Sequence, residues 1–578
     1  MKPPIPGTPR DPARLIRWGR ILAILVPLIL YAGSLANDFL IDDEIIITSN
    51  IRLAPGQTPR EIFRRPEQFA DFTLPYYRPL TNLSYWLDGR LWGRRPVGFH
   101  LTNWLLHSAN TLLTFEFAWR LTRDPIIGLV TGFLFAAHPI HTESVDLVQG
   151  RTDLLATLFT LLSLLALRGC VLANRTGPAL AAGAASLLTL IGALLSKEIG
   201  IVWPVLAAGL AWAAPETGRE RRGRWGAILA GGIAVIAGYL AVRRIVLGGV
   251  LGADLGSLTT PRVGLVPVTL AIYVRLLVWP FSFSFIRTIP APQTLTEPRV
   301  LGAALLAAAM LAGLTALARR NRPAALGMGW ALVSLLPVLN LFAIPGFVIA
   351  ERYLYLPSVG FVLLVATLVR KAFLVWPVRA VQVALVAALA ALLIAFAAMV
   401  QVRTAEWGDP VGVYEAMAAR SPTSFFVQSN LGLQYLKWGR ASDAVDALRR
   451  ARDLEPDNPV AWNNLGVALA GSGRLEEARQ AYQRAIGGQR TTGGGPAGLP
   501  AGHYPAWGIC QGVRESGGGP AGPERSGGRG GGLARGPGTH PADAMMAPGK
   551  REAEKAGRGK VRGWVPAGAG RSLHHDVR

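Results

Sequence analysis

Hydrophobic and polar positions alternate along this chain in long blocks. Apolar runs over residues 21–36, 97–119, 125–137, 154–172, 179–195, 199–213 and 227–247 are separated by short polar turns, and four more follow at 300–318, 324–344, 356–369 and 379–400. Runs of this length and apolarity predict membrane-spanning helices, about eleven in all. Residues 265–285 are also apolar but hold Arg275, Pro280 and several aromatics, and are expected to be interfacial or re-entrant. From Pro422 the pattern changes to that of a soluble helical unit, and from Gly487 apolar periodicity is lost.

Charge orients the blocks. Lys2, Arg10, Arg14, Arg17 and Arg20 precede the first run, and Arg219, Arg221, Arg222 and Arg224 follow the sixth. Basic residues flanking apolar runs mark the cytoplasmic side, so residues 1–20 are expected inside and the loop 37–96 outside. Within that loop Leu83, Leu87 and Leu91 recur every four residues beside Trp86 and Trp92, a spacing that predicts an amphipathic helix on the bilayer surface. The same rule places Arg319, Arg320, Arg322, Lys371 and Arg379 inside, provided residues 265–285 do not cross. Everything after Gln401 then lies outside.

The soluble unit is a repeat. Asn430-Leu431-Gly432 returns as Asn464-Leu465-Gly466, Gly439-Arg440 as Gly473-Arg474, and Ala444, Ala447 and Ala451 as Ala478, Ala481 and Ala485. A step of about 34 residues with small residues at helix contacts is the tetratricopeptide pattern, and two copies span residues 422–486. The period then fails, with Arg490 where a proline is due. Residues 487–578, with three triple glycines, cannot bury enough apolar surface to order themselves. They read as a disordered tail or, preferably, as a reading-frame shift in a GC-rich gene that truncates later repeats.

Composition narrows the class. Of 578 residues 51% are hydrophobic and 16% charged, with a mean hydropathy of +0.32. Soluble domains carry about 25% charged residues. The net charge of +23 sits in the short loops and the tail rather than in one patch, which argues against a nucleic-acid partner. Two cysteines, Cys170 and Cys510, form neither a disulfide framework nor a thiolate metal site.

Ionisable residues gather at the expected outer ends of the spans. Asp38, Asp42, Asp43 and Glu44 follow the first run, His138-Pro-Ile-His141-Thr-Glu143 ends the third, Gly150-Arg151-Thr152-Asp153 opens the fourth, Ser196-Lys197-Glu198 ends the fifth, and Glu351-Arg352 precedes the tenth. Charge so near hydrocarbon is costly and marks function. His138, His141 and Glu143 are ligand types for a divalent metal, although their spacing is not that of the zincin helix.

These stretches, with Tyr77-Arg78-Pro79-Leu80-Thr81, Gly98 to Asn103, His107 and Glu351 to Ser358, resemble the transmembrane and tetratricopeptide-repeat family of protein O-mannosyltransferases and its bacterial relatives. The resemblance runs from residue 20 to about 486. It implies an all-α polytopic membrane protein with the C-type glycosyltransferase fold in residues 21–403, seated in a bacterial inner membrane. It further implies a polyprenyl-phosphate sugar donor, a protein acceptor presented through the repeats, and a site on the extracytoplasmic face. Such a donor carries its own anionic leaving group, so one carboxylate base and phosphate-binding cations suffice. Asp43, ahead of Asp42, is the expected base. Arg352 is the expected phosphate ligand, with Arg78, Arg151 and Lys197 as further cations, while His138, His141, Glu143 and Glu351 are expected around the sugar. A metal is possible. Two other classes compete: a non-catalytic repeat scaffold leaves the clusters without purpose, and a lipid-linked sugar transporter requires ionisable residues in mid-span.

Overall fold

The computed structural model describes residues 11–492, except 215–218, 249–259, 340–348, 65–75 and parts of 41–55 and 282–291. Helix α1 (Pro12–Leu30) starts at a proline capped by Asp11, whose carboxylate accepts the Arg14 N–H. A short α2 (Pro59–Arg64) precedes α3 (Pro79–Trp92), α4 (Pro96–Thr122) and α5 (Pro125–Ala137). Each opens on proline, whose fixed φ suits the first helical turn. Then follow α6 (Thr142–Asp146), α7 (Arg151–Leu172), α8 (Thr176–Ser196), α9 (Trp203–Ala213), α10 (Arg219–Leu247), α11 (Thr260–Val278), α12 (Pro298–Arg320), α13 (Arg322–Leu335), α14 (Tyr355–Val375) and α15 (Arg379–Trp407).

Every one of the eleven expected segments carries helix. By length and apolarity six helices among the described residues can cross a membrane, or seven if the bent pair α5–α6 counts as one. The other expected spans are shorter, or are diluted by buried polar residues such as Asn103, His107, Asn110 and Glu116 on α4. Among the leucines, valines and isoleucines of α12 and α15 only Val300 and Val400 are buried, the arrangement of helices facing lipid.

Residues 265–285 have a definite local form. Their first part lies in α11, a continuous helix. Gly264 packs against Pro292 and Leu295, and Val268 against Val300 and Ala303, so α11 and α12 run in the same direction. Two successive crossings run in opposite directions. The chain therefore returns after α11 to the side from which that helix set out.

The helical bundle has two polar ends. At one, Arg370 pairs with Asp124, Arg20 and Arg120 share Glu116, and Arg224 caps the carbonyls of Cys170 and Ala173. At the other end lie the clusters singled out in the sequence. Helix α3 stands there with Thr81, Tyr85 and Asp88 facing the protein and Leu87, Leu91 and Trp92 facing out. This is a soluble amphipathic helix reversed, as a lipid-facing surface requires.

After α15 comes α16 (Pro410–Arg420), then two hairpins, α17 (Phe425–Lys437) with α18 (Ala441–Leu454), and α19 (Pro459–Gly471) with α20 (Leu475–Thr492). The turns place Gly439 at φ 74° and Gly473 at φ 80°, a left-handed conformation that glycine adopts without a Cβ penalty. The repeated alanines Ala444, Ala447, Ala451, Ala478, Ala481 and Ala485 are all buried. Helix α20 runs past the break in the repeat to Thr492, and the rest of the tail lies outside the described residues. The repeats do not stand alone. Their core is continuous with Tyr414 and Met417 of α16, Trp407 of α15, and Leu40 and Leu147 of the bundle's polar end.

Candidate active site

The polar end is assembled by ion pairs between segments far apart in the chain. Glu143, in the first turn of α6, accepts the Arg352 backbone N–H at 3.0 Å and pairs with its guanidinium at 2.5 Å. Both side chains are buried. Glu351, the preceding residue, faces the other way and takes Arg403 of α15 at 3.1 Å, while Arg403 also donates to Thr142 at 2.8 Å. The Glu351-Arg352 turn is thus pinned between α6 and α15.

Lys197 follows the last residue of α8 and places its Nζ 2.6 Å from both oxygens of Asp153. Burial pushes the Lys197 pKa down, the nearby guanidiniums of Arg78 and Arg352 act in the same direction, and Asp153 opposes them. Lys197 Nζ lies 4.9 Å from the Tyr353 ring centre and the Arg352 guanidinium 5.4 Å from it. One aromatic face therefore gathers both cations. Next to Lys197, Glu198 is held from two sides, by Arg78 at 2.9 Å and by Arg243 of α10 at 2.7 Å. Thr81 Oγ donates to the Ser196 carbonyl at 3.1 Å and ties α3 to this corner.

Four expected participants, Asp43, Arg151, His138 and His141, have other duties. Asp43 is fully buried, and its two oxygens accept the backbone N–H groups of Val148 at 3.0 Å and Gln149 at 2.8 Å. Both oxygens are thereby engaged by the backbone, and this geometry makes Asp43 an anchor for the turn before α7. Gly150 closes that turn because a side-chain carbon there would lie 2.5 Å from Ser144 Cα. Asp42 lies outside the described residues.

Arg151 is likewise fully buried. It pairs with Asp88 at 2.5 Å and donates to Asn103 Oδ1 at 2.9 Å and the Phe99 carbonyl at 2.7 Å. It clamps α3, α4 and α7 together and has no surface to offer a donor phosphate. The histidines also turn inward: His138 Nε2 donates to the Leu277 carbonyl at 2.9 Å while its Nδ1 accepts the Ile140 N–H, and His141 Nε2 meets Ser358 Oγ at 2.9 Å. His138, His141 and Glu143 spend these atoms on separate partners. Among the described residues no three His, Cys, Asp or Glu side chains converge as a metal would need.

The arrangement therefore brings Arg78, Lys197 and Arg352 into one corner and adds three residues to which sequence reasoning gave no role there: Arg243, Asp153 and Tyr353. Arg243 and Arg244 interrupt an apolar run. An ionisable residue inside such a run is itself a functional signal.

Comparison with known proteins fits this picture. Residues 430–495 match the family model described as Tetratricopeptide repeat. Over 456 residues the chain is 28% identical to a protein O-mannosyl-transferase of Caenorhabditis elegans, covering 75% of this chain and 62% of the nematode protein. Over 416 residues it is 30% identical to the protein O-mannosyl-transferase TMTC4 of Homo sapiens, covering 60% of this chain and 54% of the human one. The chain is thus similar in sequence to proteins named as O-mannosyl-transferases. A shorter stretch of 144 residues, 24% of the chain and 17% of the relative, reaches 40% identity with the human protein O-mannosyl-transferase TMTC2. The chain thus spans little more than half the length of the first two relatives. Among solved structures, the archaeal oligosaccharyltransferase AglB from Archaeoglobus fulgidus is similar over 68% of this chain and 56% of its own, with 15% identity and a TM-score of 0.37, a likeness too low to define the fold.

Proposed function

We propose that this protein is a membrane glycosyltransferase that moves a mannose-like sugar from a polyprenyl-phosphate donor to a hydroxyl acceptor, a protein Ser or Thr foremost. The observation that carries the reading is the gathering of Lys197 and Arg352 on Tyr353, with Arg78 close to Lys197, at one end of an apolar bundle. Cations so placed suit a phosphate whose lipid tail stays in the membrane, and guanidiniums can bind two phosphate oxygens at once.

In the reaction the acceptor oxygen attacks the anomeric carbon, the bond from that carbon to the phosphate oxygen breaks, and its electron pair stays on the phosphate. The acceptor proton passes to a carboxylate. Since the Asp43 oxygens hold the amides of Val148 and Gln149, the reading gives the base to its neighbour Asp42. A single displacement inverts the anomeric centre. The repeats, packed on Leu40 and Leu147 beside the same end of the bundle, would present the acceptor there, and the basic loops that flank the spans support a reading with that end outside the cytoplasm.

The test is to incubate membranes containing the protein with labelled polyprenyl-phosphate sugars and follow the label into protein. Transfer from the mannosyl donor, lost in Arg352→Ala, is the expected result. Reporter fusions after residue 403 and within 200–225 should report outside and inside respectively. Transfer from none of the donors, or a cytoplasmic signal after residue 403, overturns the reading.

A further inference from the structure

The Glu198 carboxylate sits between two guanidiniums that reach it from unrelated segments. Arg78, in the turn before α3, holds one oxygen at 2.9 Å, and Arg243, in the second half of α10, holds the other at 2.7 Å. Two guanidiniums closing on one carboxylate, Arg78 through Nε and Nη2 and Arg243 through Nη1, make an arrangement that would also hold a phosphate. Bringing two guanidiniums together is costly unless an anion lies between them, so the seat must be filled when no ligand is present.

Glu198 also differs from the other carboxylates of the corner. Its side chain is 30% exposed, against 2% for Asp153 and 1% for Glu143. Asp153 and Glu143 are enclosed with their cations, and releasing them would strand buried charge. Glu198 alone of the three borders solvent, so on release its charge passes to water rather than being stranded in the interior. Its neighbour in sequence is Lys197, so the seat adjoins the cations already assigned to the donor.

We propose that Glu198 is a resident stand-in for phosphate charge, displaced as the reaction proceeds, and that Arg243 is a further residue binding the donor phosphate. The proposal rests on the glycosyl-transfer reading above. The donor is a phosphodiester with one negative charge. When the bond to the anomeric carbon breaks, the electron pair remains on the phosphate and the leaving group becomes a monoester with two. Glu198 then leaves the seat to solvent, and Arg78 and Arg243 pass to the phosphate as its second charge forms. An interaction made only as charge develops lowers the barrier rather than merely tightening substrate binding.

The test uses the purified full chain and two soluble probes that mimic leaving group and donor: farnesyl phosphate, dianionic above its second pKa of about 6, and its methyl diester, a monoanion. Affinities are measured directly for wild type, Glu198→Gln, Arg243→Ala and Arg243→Lys, with a melting curve for each. Removing the competing carboxylate should tighten farnesyl phosphate about tenfold in Glu198→Gln and change the diester less than about threefold, as expected for one charge-assisted contact. Arg243→Ala should weaken both probes, the monoester more, and Arg243→Lys should restore part of the loss. If Glu198→Gln weakens both probes as Arg243→Ala does, Glu198 merely props the arginines and the proposal fails. It fails also if a folded Arg243→Ala binds both probes as wild type does. Should Glu198→Gln not fold, the Arg243 pair decides: equal loss of both probes in the Ala and Lys variants overturns the seat. Wild-type protein that binds neither probe overturns the phosphate-donor reading itself, and the proposal with it.

Discussion

The bundle's polar end and the tetratricopeptide unit are both helical, yet their charges are organised in opposite ways. In the repeats, Arg440 pairs with Asp443, Arg474 with Glu477 and Arg479 with Glu476, all three positions apart, and these side chains are largely exposed. At the polar end, Arg352 pairs with Glu143, Lys197 with Asp153 and Arg151 with Asp88, across long stretches of chain and almost fully buried. Exposed pairs are screened by water and contribute little. A buried pair stabilises little in net terms, but removing one partner strands the other and costs about 3–5 kcal/mol. Charges in the repeats decorate a fold held by small residues. Those at the polar end hold the fold and the candidate site with the same contacts.

That contrast can be broken in order of expected effect. Arg352→Ala should abolish sugar transfer and also destabilise the bundle by about 3–5 kcal/mol, because Glu143 is left buried without its partner. Adding Glu143→Gln should return much of the stability and none of the activity, read by thermal unfolding in detergent beside the transfer assay. If the single variant melts as wild type does, Glu143 is not held by this pair.

Asp42→Asn should lower turnover about 10²–10⁴-fold with an unchanged melting curve, as expected for loss of a general base. Asp43→Asn exchanges an acceptor oxygen for a donor against the Val148–Gln149 amides and should cost about 1–3 kcal/mol of stability. A large fall in turnover from Asp43→Asn without any change in melting would return the base role to Asp43.

Within the repeats, Gly439→Ala forces a Cβ into a left-handed turn and should destabilise the hairpin locally by about 1–2 kcal/mol. Faster hydrogen exchange confined to residues 425–492, with donor binding intact, is the expected result. Exchange that quickens equally at Val148 and Gln149 would make the repeats and the polar end one cooperative unit, which their shared core through Leu40 and Leu147 permits. The smallest effect belongs to Arg440→Ala, which should leave melting and transfer within experimental scatter. A measurable loss there would show that the exposed pairs do more than decorate.

Much of this was legible without coordinates. Apolar runs located helix in all eleven expected segments, and the recurrence of Asn-Leu-Gly with its alanines located two hairpins whose alanines are buried. Residue type also singled out Arg78, Lys197 and Arg352, which the structure brings into one corner. What misled was adjacency. Asp43 and Arg151 looked like free chemistry beside a membrane, but each is consumed by backbone or side-chain partners supplied from elsewhere. Arg243 was hidden within an apolar run, and the sequence pattern could not show that it and Arg78 meet on one carboxylate.

The boundary between the two kinds of knowledge is physical. Period, apolarity and flanking charge act locally, through the cost of exposing backbone or charge to lipid, so the chain by itself determined which segments are helical, which face lipid, and where the repeats begin. Pairing of buried charges depends on which helices become neighbours, and nothing local encodes the distance from Arg352 to Glu143 or from Arg243 to Glu198. Only the tertiary structure could show which partner each of these cations holds and how deeply the pair is buried, because both depend on which helices become neighbours.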